Sequence, residues 1–285
     1  MKYLRFADRV FDNYFDVKPD VRSKDWFLVD NAGFMLFMAF SYLFVAITGP
    51  KIMRAFKPFD LRRPIMIYNT LMVAINACVV YLCAVGGWFT HYKLLCQPVG
   101  SADDPRSYQI VYATYIMMVS KYMELLDTVF FILRKKERQL SVLHIYHHFI
   151  VVPMCWGSIR YLPDGHSNLA LFVNAFIHVV MYAYYLLSQM GPSVQKYLWW
   201  KRYLTKMQLT QFAVVILHSL WLYHPSCTFP RVMQTFNAFN CVIFATLFLN
   251  FYRKNYTAKN NMEIIEESSN KLGNMCISPG SVKQD

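Results

Sequence analysis

Charged residues are scarce in this 285-residue chain, at 16% where a soluble domain carries about 25%. Long stretches hold almost no charge, and Lys and Arg crowd into the short segments between them. That distribution excludes an ordinary soluble fold and belongs to membrane spans joined by loops. The net charge of +12 does not indicate a nucleic-acid partner, because the basic residues are dispersed over loops rather than gathered on one face. Met1 to Asp25 lacks the apolar core of a cleavable signal, so the first span is expected to serve as the targeting element. Seven cysteines contain no CxxC and no zinc spacing, and no internal repeat is visible.

Seven apolar windows stand out: Phe27–Thr48, Pro64–Phe89, Ile110–Leu133, Val142–Ile159, Leu169–Gln189, Tyr203–Tyr223 and Pro230–Tyr252. Each is long enough to cross ~30 Å of hydrocarbon at ~1.5 Å per residue. Only helices and closed barrels satisfy their backbone in lipid, and these windows are too long for barrel strands. The chain therefore reads as an all-α polytopic membrane protein with seven transmembrane helices. Its expected parts are an N-terminal arm (1–26), a helical domain (27–255) and a polar, disordered tail (256–285).

The loops after spans 1, 3 and 5, together with the tail, carry 17 Lys and Arg, against at most four in the alternate loops. The positive-inside rule then puts those segments and the C-terminus in the cytosol and the N-terminus on the lumenal side. Cys78, Cys83, Cys155 and Cys241 fall within spans and read as packing residues. Cys96 and Cys227 fall in two lumenal loops, where a disulfide can persist. A bridge between them is expected, with two free thiols as the alternative.

Ionisable groups inside a span are costly and mark function by default. His144, His147 and His148 stand at i, i+3 and i+4, on one face of span 4. Span 3 carries Lys121, Glu124 and Thr128 as a stripe flanked by Asp127. Span 5 carries Asn174, His178, Met181, Tyr182 and Tyr185, and span 6 carries Thr205, Gln208 and Gln211. By residue count Asp127, His147 and Gln208 lie ~8–9 Å from the cytosolic ends of their spans, and His178 ~16 Å. Four helices thus bring polar faces to one layer, which predicts a single hydrated pocket opening to the cytosol. Structural explanations exist for some members. Lys121 and Glu124 can neutralise each other at i, i+3, the tyrosines can anchor at the interface, and a lone Gln211 or His218 can be an interhelical hydrogen bond. Three histidines on one face have no comparably cheap one.

His144-Ile-Tyr-His147-His148 is an HxxHH box, also found in membrane di-iron desaturases and hydroxylases. Those centres need about eight imidazoles. This chain has eight histidines in total, and His91, His166, His218 and His224 lie toward the other side. A metal site is not expected. Neutral imidazole can instead act directly as nucleophile or base.

Four motifs carry a resemblance: Lys121-x-x-Glu124-x-x-Asp127-Thr128, the HxxHH box, Asn174-x-Phe176-x-His178-x-x-Met181-Tyr182-x-Tyr184-Tyr185, and Thr205-x-x-Gln208-x-x-Gln211-Phe212. In order and spacing they resemble the ELO family of very-long-chain fatty acid elongases, 3-oxoacyl-CoA synthases of the endoplasmic reticulum. The resemblance implies condensation of long-chain acyl-CoA with malonyl-CoA, no permanently bound cofactor, and an inverted barrel of helices around an acyl tunnel. It implies His147 as acyl-accepting nucleophile, His178 assisting, His144 and His148 orienting or sharing protons, and Glu124, Asp127 and Lys121 setting the local charge. Asn174, Tyr182, Tyr185, Thr205, Gln208 and Gln211 would contact substrate. Arg134, Lys135, Lys136, Lys201, Arg202 and Lys206 could hold the phosphates of CoA, although the positive-inside bias alone would place cations there. Expected partners are the reductases and dehydratase of the elongation cycle, with a homodimer left open. The tail ends Ser-Val-Lys283-Gln-Asp, without the family's frequent dilysine signal. Rival readings are a seven-span receptor, which would turn its polarity outward, and a lipid transporter, which a malonyl-CoA-dependent assay would separate.

Overall fold

The structure is a computed structural model and describes residue 10 and residues 18–254. The expected polar tail lies outside the described residues, as does most of the arm before residue 18. Among the described residues there is no strand, and seven helices of at least 20 residues follow one another. They are α1 (Ala32–Ile52), α2 (Arg62–Cys83), α3 (Pro105–Leu133), α4 (Val142–Tyr161), α5 (Asn168–Ser188), α6 (Lys201–Leu220) and α7 (Arg231–Tyr252).

Side-chain caps set several of the starts. Asn31 accepts the Phe34 N–H at 2.9 Å, Asp104 accepts that of Arg106 with Pro105 at the first position, and Ser141 accepts that of His144 at 3.2 Å. The first cap corrects the expected start of span 1. Residues 27–30 form turns, with Leu28 in the left-handed region at φ 69°, and helix begins only after Asn31. Apolar character alone could not distinguish the two.

Five stretches are long and apolar enough to cross a membrane by length and composition: Ala32–Ala55, Arg62–Trp88, Val142–Tyr161, Gly165–Ser188 and Gln234–Tyr252. α3 and α6 fall outside this set; they carry Lys121, Glu124 and Asp127, and Lys201, Arg202, Lys206, Gln208 and Gln211. Large apolar side chains such as Phe37, Phe44, Ile67, Leu217 and Phe239 are exposed around the bundle. Water would penalise that girdle and lipid would not. The chain is a polytopic helical membrane protein.

Neighbouring pairs are α2–α3, α3–α4, α4–α7, α7–α6, α6–α5 and α5–α2, while α1 packs against α3 and α4. One end of the bundle is tied together by long-range contacts. There Cys96 and Cys227 form the expected disulfide, joining the α2–α3 and α6–α7 connections across 131 residues of sequence. Beside it, buried Arg22 donates to Asp164 Oδ2 at 2.8 Å and to Asp20 Oδ2 at 2.5 Å, and also bonds Ser107. The Gly100 N–H donates to both Asp164 oxygens at 3.2 Å. Burial works against the Arg22 charge, but the hydrogen bonds and fields of Asp20 and Asp164 outweigh it and push its pKa above the ordinary arginine value. Residues 18–30 are therefore docked on this end rather than standing apart from it. The turn that presents Asp164 needs Gly165, whose φ is +83° and where a Cβ would come within 2.7 Å of the Phe229 ring.

The bridge closes a long loop, so replacing Cys96 and Cys227 by serine is expected to cost about 2–4 kcal/mol. The measurement is the thermal unfolding midpoint of purified protein in detergent. Equal midpoints with and without the bridge would show that this end holds without it.

Candidate active site

The Ser141 cap sets the register of α4 so that its histidines turn inward, but in different directions. His144 Nε2 lies 2.7 Å from Thr128 Oγ1 on α3, and the threonine reaches Tyr42 OH on α1 at 3.3 Å. His148 is buried against the His144 ring at 4.3 Å, and its Nδ1 has no hydrogen-bond partner among the described residues. His147 leans the other way, onto Phe244 of α7 with ring centroids 5.2 Å apart.

A second group joins α3 to α5. Fully buried Glu124 accepts Lys121 Nζ at 2.8 Å, and His178 Nδ1 lies 3.0 Å from the same oxygen. The Lys121 ammonium also sits beside the His178 ring, 3.4 and 3.5 Å from its two nitrogens. The Lys121–Glu124 pair thus does more than neutralise itself, because it also clamps an imidazole from another helix. Glu124 Oε2 has no partner among the described residues. Asp127 belongs to a separate cluster. It accepts the Tyr182 hydroxyl at 2.7 Å, Tyr68 OH lies 3.4 Å from Tyr182 OH, and Tyr185 packs edge-on against Tyr182.

A cavity of about 140 Å³ runs through the bundle next to these groups. Lys121 and His147 line it, with Asn174 of α5, Gln211 and Phe212 of α6, and Asn237, Cys241 and Phe244 of α7. It continues past Val215 to Thr114, Ser158 and Asn168 toward the disulfide end. His147 is on its wall. His178 is one residue removed, behind Lys121. The two imidazoles are therefore linked through the lysine that touches one and lines the cavity with the other.

The remaining expected residues are spread around this centre. Thr205 is buried, and Gln208 Nε2 comes within 3.7 Å of Met181 Sδ rather than lining the cavity. Arg134 donates to Gln189 Oε1 at 3.2 Å. Lys135, Lys136, Lys201, Arg202 and Lys206 are exposed at the end opposite the disulfide, the last two over the Tyr203 ring at 5.0 and 5.5 Å. Among the described residues, no three His, Cys, Asp or Glu side chains are grouped as a metal site.

Sequence reasoning missed Tyr42, Tyr68 and the whole contribution of α7. A signal for the last existed: Asn237, Cys241 and Phe244 stand at i, i+4 and i+7 and so share one face.

A family model described as ELO, the GNS1/SUR4 family, matches residues 27–263. The chain belongs to the ELO family. Curated members are similar over most of their length. "Very long chain fatty acid elongase 7" of Drosophila melanogaster is 36% identical over 276 residues, covering 96% of this chain and 84% of its own. "Very long chain fatty acid elongase 4" of Mus musculus is 40% identical over 237 residues, covering 83% and 76%. "Very long chain fatty acid elongase 7" of Rattus norvegicus is 34% identical over 266 residues, covering 92% and 94%. The ELO match spans all seven helices, so the site lies inside the shared region.

Proposed function

We propose that this ELO-family chain is the condensing enzyme of fatty acid elongation, joining a long-chain acyl-CoA to malonyl-CoA. The observation that carries the reading is an imidazole, His147, on the wall of a mostly apolar cavity that continues away from it toward Thr114, Ser158 and Asn168. A mostly apolar wall of this kind suits an acyl chain, whose thioester would lie at the histidine. In the proposed reaction the His147 imidazole attacks the thioester carbonyl, and CoA leaves as the thiol after taking up a proton. The acyl-imidazole is protected from hydrolysis because the chain fills the cavity and excludes water. Malonyl-CoA then loses CO2, and the carbanion at C2 attacks the acyl carbonyl. The C–N bond to His147 breaks, and a 3-oxoacyl-CoA two carbons longer leaves.

Glu124 favours the His178 tautomer with the proton on Nδ1, since that nitrogen faces a carboxylate. Lys121, on the cavity wall, then supplies positive charge where the enolate oxygen develops, and the bare Nε2 of His178 is left to accept a proton. The reading needs no permanently bound cofactor. It takes all seven helices as spans, with α2 to α7 as a barrel around the cavity and α1 outside it. The basic end would face the cytosol, where CoA esters are met, and the disulfide end together with the N-terminus would face the lumen of the endoplasmic reticulum. The reductases and dehydratase of the cycle consume the product, and a homodimer is compatible with the lipid-facing girdle.

The test is expression in cells lacking their own elongases, followed by assay of microsomes with labelled malonyl-CoA and a long-chain acyl-CoA. Label is expected in a chain two carbons longer, dependent on both substrates. Absence of any labelled condensation product would refute the proposal.

A further inference from the structure

Several polar groups on the cavity wall are already engaged. Thr114 donates to the Ile110 carbonyl at 3.0 Å and the Pro163 carbonyl at 2.5 Å, Ser158 donates to the Met154 carbonyl at 3.0 Å, and Lys121 is held by Glu124. Gln211 of α6 is not engaged. It is buried on the same wall, hydrogen-bonds no described group, and its amide atoms are open rather than sealed by packing. The interhelical hydrogen bond that would explain a lone glutamine in a span is thus absent among the described residues. An unpaired carboxamide in an apolar space is costly unless something that enters the space uses it.

Helix register places Gln211 at the reacting centre. α5 and α6 are antiparallel neighbours, and Gln208 meets Met181 across them, with Nε2 3.7 Å from Sδ. Three residues onward in α6 and three back in α5 stand Gln211 and His178, at one level. The next residue, Phe212, meets Phe244 of α7 with ring centroids 5.8 Å apart, and the same Phe244 ring packs on His147 at 5.2 Å. Gln211 therefore shares its layer of the bundle with both imidazoles. Asn174 is equally unpaired on this wall, but it precedes His178 by four residues. That puts it ~6 Å along α5 toward the disulfide end, where the acyl chain would run rather than its thioester.

We propose that the side-chain N–H of Gln211 is the oxyanion donor of the condensation, a catalytic group beside His147. This role rests on the elongase reading and adds to it the group that holds the charge on the acyl carbonyl. When the imidazole nitrogen attacks, the C–N bond forms and the carbonyl π pair moves onto oxygen, which accepts the Gln211 N–H. The C=O bond then re-forms as the C–S bond breaks, and the proton shed by the imidazole passes to the departing sulfur. Attack by the malonyl-derived carbanion builds a second oxyanion on the same carbon, and the same N–H serves it. Lys121 is left to the enolate oxygen, so the two developing charges have separate donors.

The experiment uses the same microsomes with malonyl-CoA and two acyl-CoAs of one length, the ordinary thioester and its dithioester, whose C=S is a weak hydrogen-bond acceptor. Gln211→Met keeps the length of the side chain and removes the N–H. It is expected to lower kcat for the thioester about 100-fold, with little change in KM. Because the dithioester gains little from the donor, the thioester-to-dithioester ratio of kcat/KM should fall by a similar factor. A merely structural role would slow both substrates alike and leave the ratio where it was. An unchanged ratio overturns the inference. If Gln211→Met does not fold, Gln211→Glu, which keeps the shape without the donor, is read by the same ratio. Condensation by the wild type with a ratio unmoved in the variant removes this inference and leaves the elongase reading intact. No condensation by the wild type with either substrate removes both.

Discussion

Replacing His147 by alanine is expected to lower malonyl-CoA-dependent condensation by about 10³-fold or more, within the range that positioned catalytic groups contribute. The expectation rests on its place. His147 is the one histidine of the HxxHH box that lines the cavity, while His144 is held by Thr128 and His148 is buried behind it. The change should be in kcat, since the rest of the cavity wall is untouched. A short incubation with labelled acyl-CoA alone should leave acyl label on wild-type protein and none on the variant. Full condensation by His147→Ala would end the nucleophile assignment. His144→Ala and His148→Ala should show smaller losses, because both act through the position of a neighbour.

The second large effect is expected at Glu124. This carboxylate is fully buried, holds Lys121 at 2.8 Å and faces His178 Nδ1 at 3.0 Å. Glu124→Ala strands a buried ammonium, and removing one partner of such a pair costs about 3–5 kcal/mol. The variant should unfold at a markedly lower temperature in detergent. The double change Glu124→Leu with Lys121→Met should recover most of that stability, because two apolar residues leave no unpaired charge. Activity should not recover, since His178 still lacks the carboxylate that fixes its tautomer. The two readouts therefore separate structure from chemistry. A double variant as unstable as the single one would contradict the account of the pair, and an active double variant would contradict the role given to His178.

Legibility varied by element for identifiable reasons. The helices of α4, α5 and α7 were visible within two residues of their observed bounds, because an uninterrupted apolar run in lipid has few other ways to satisfy its backbone. The start of α1 was not, since a cap at Asn31 is a local hydrogen bond between loop residues that hydrophobicity does not register. The disulfide could be anticipated from loop topology. The Arg22–Asp164 contact could not, because its partners are 142 residues apart and each looks like an ordinary loop charge.

Residue types at helical spacing told which positions carry chemistry: the stripes on α3, α4, α5 and α6 needed only the 3.6-residue period. The period cannot tell which stripe meets which. Whether Glu124 faces His178 while Asp127 faces Tyr182, whether His147 or His148 reaches the cavity, and that α7 supplies Phe244 and Asn237 all depend on how the helices are rotated and paired. Packing of distant side chains decides that, so it became visible only in the assembled bundle.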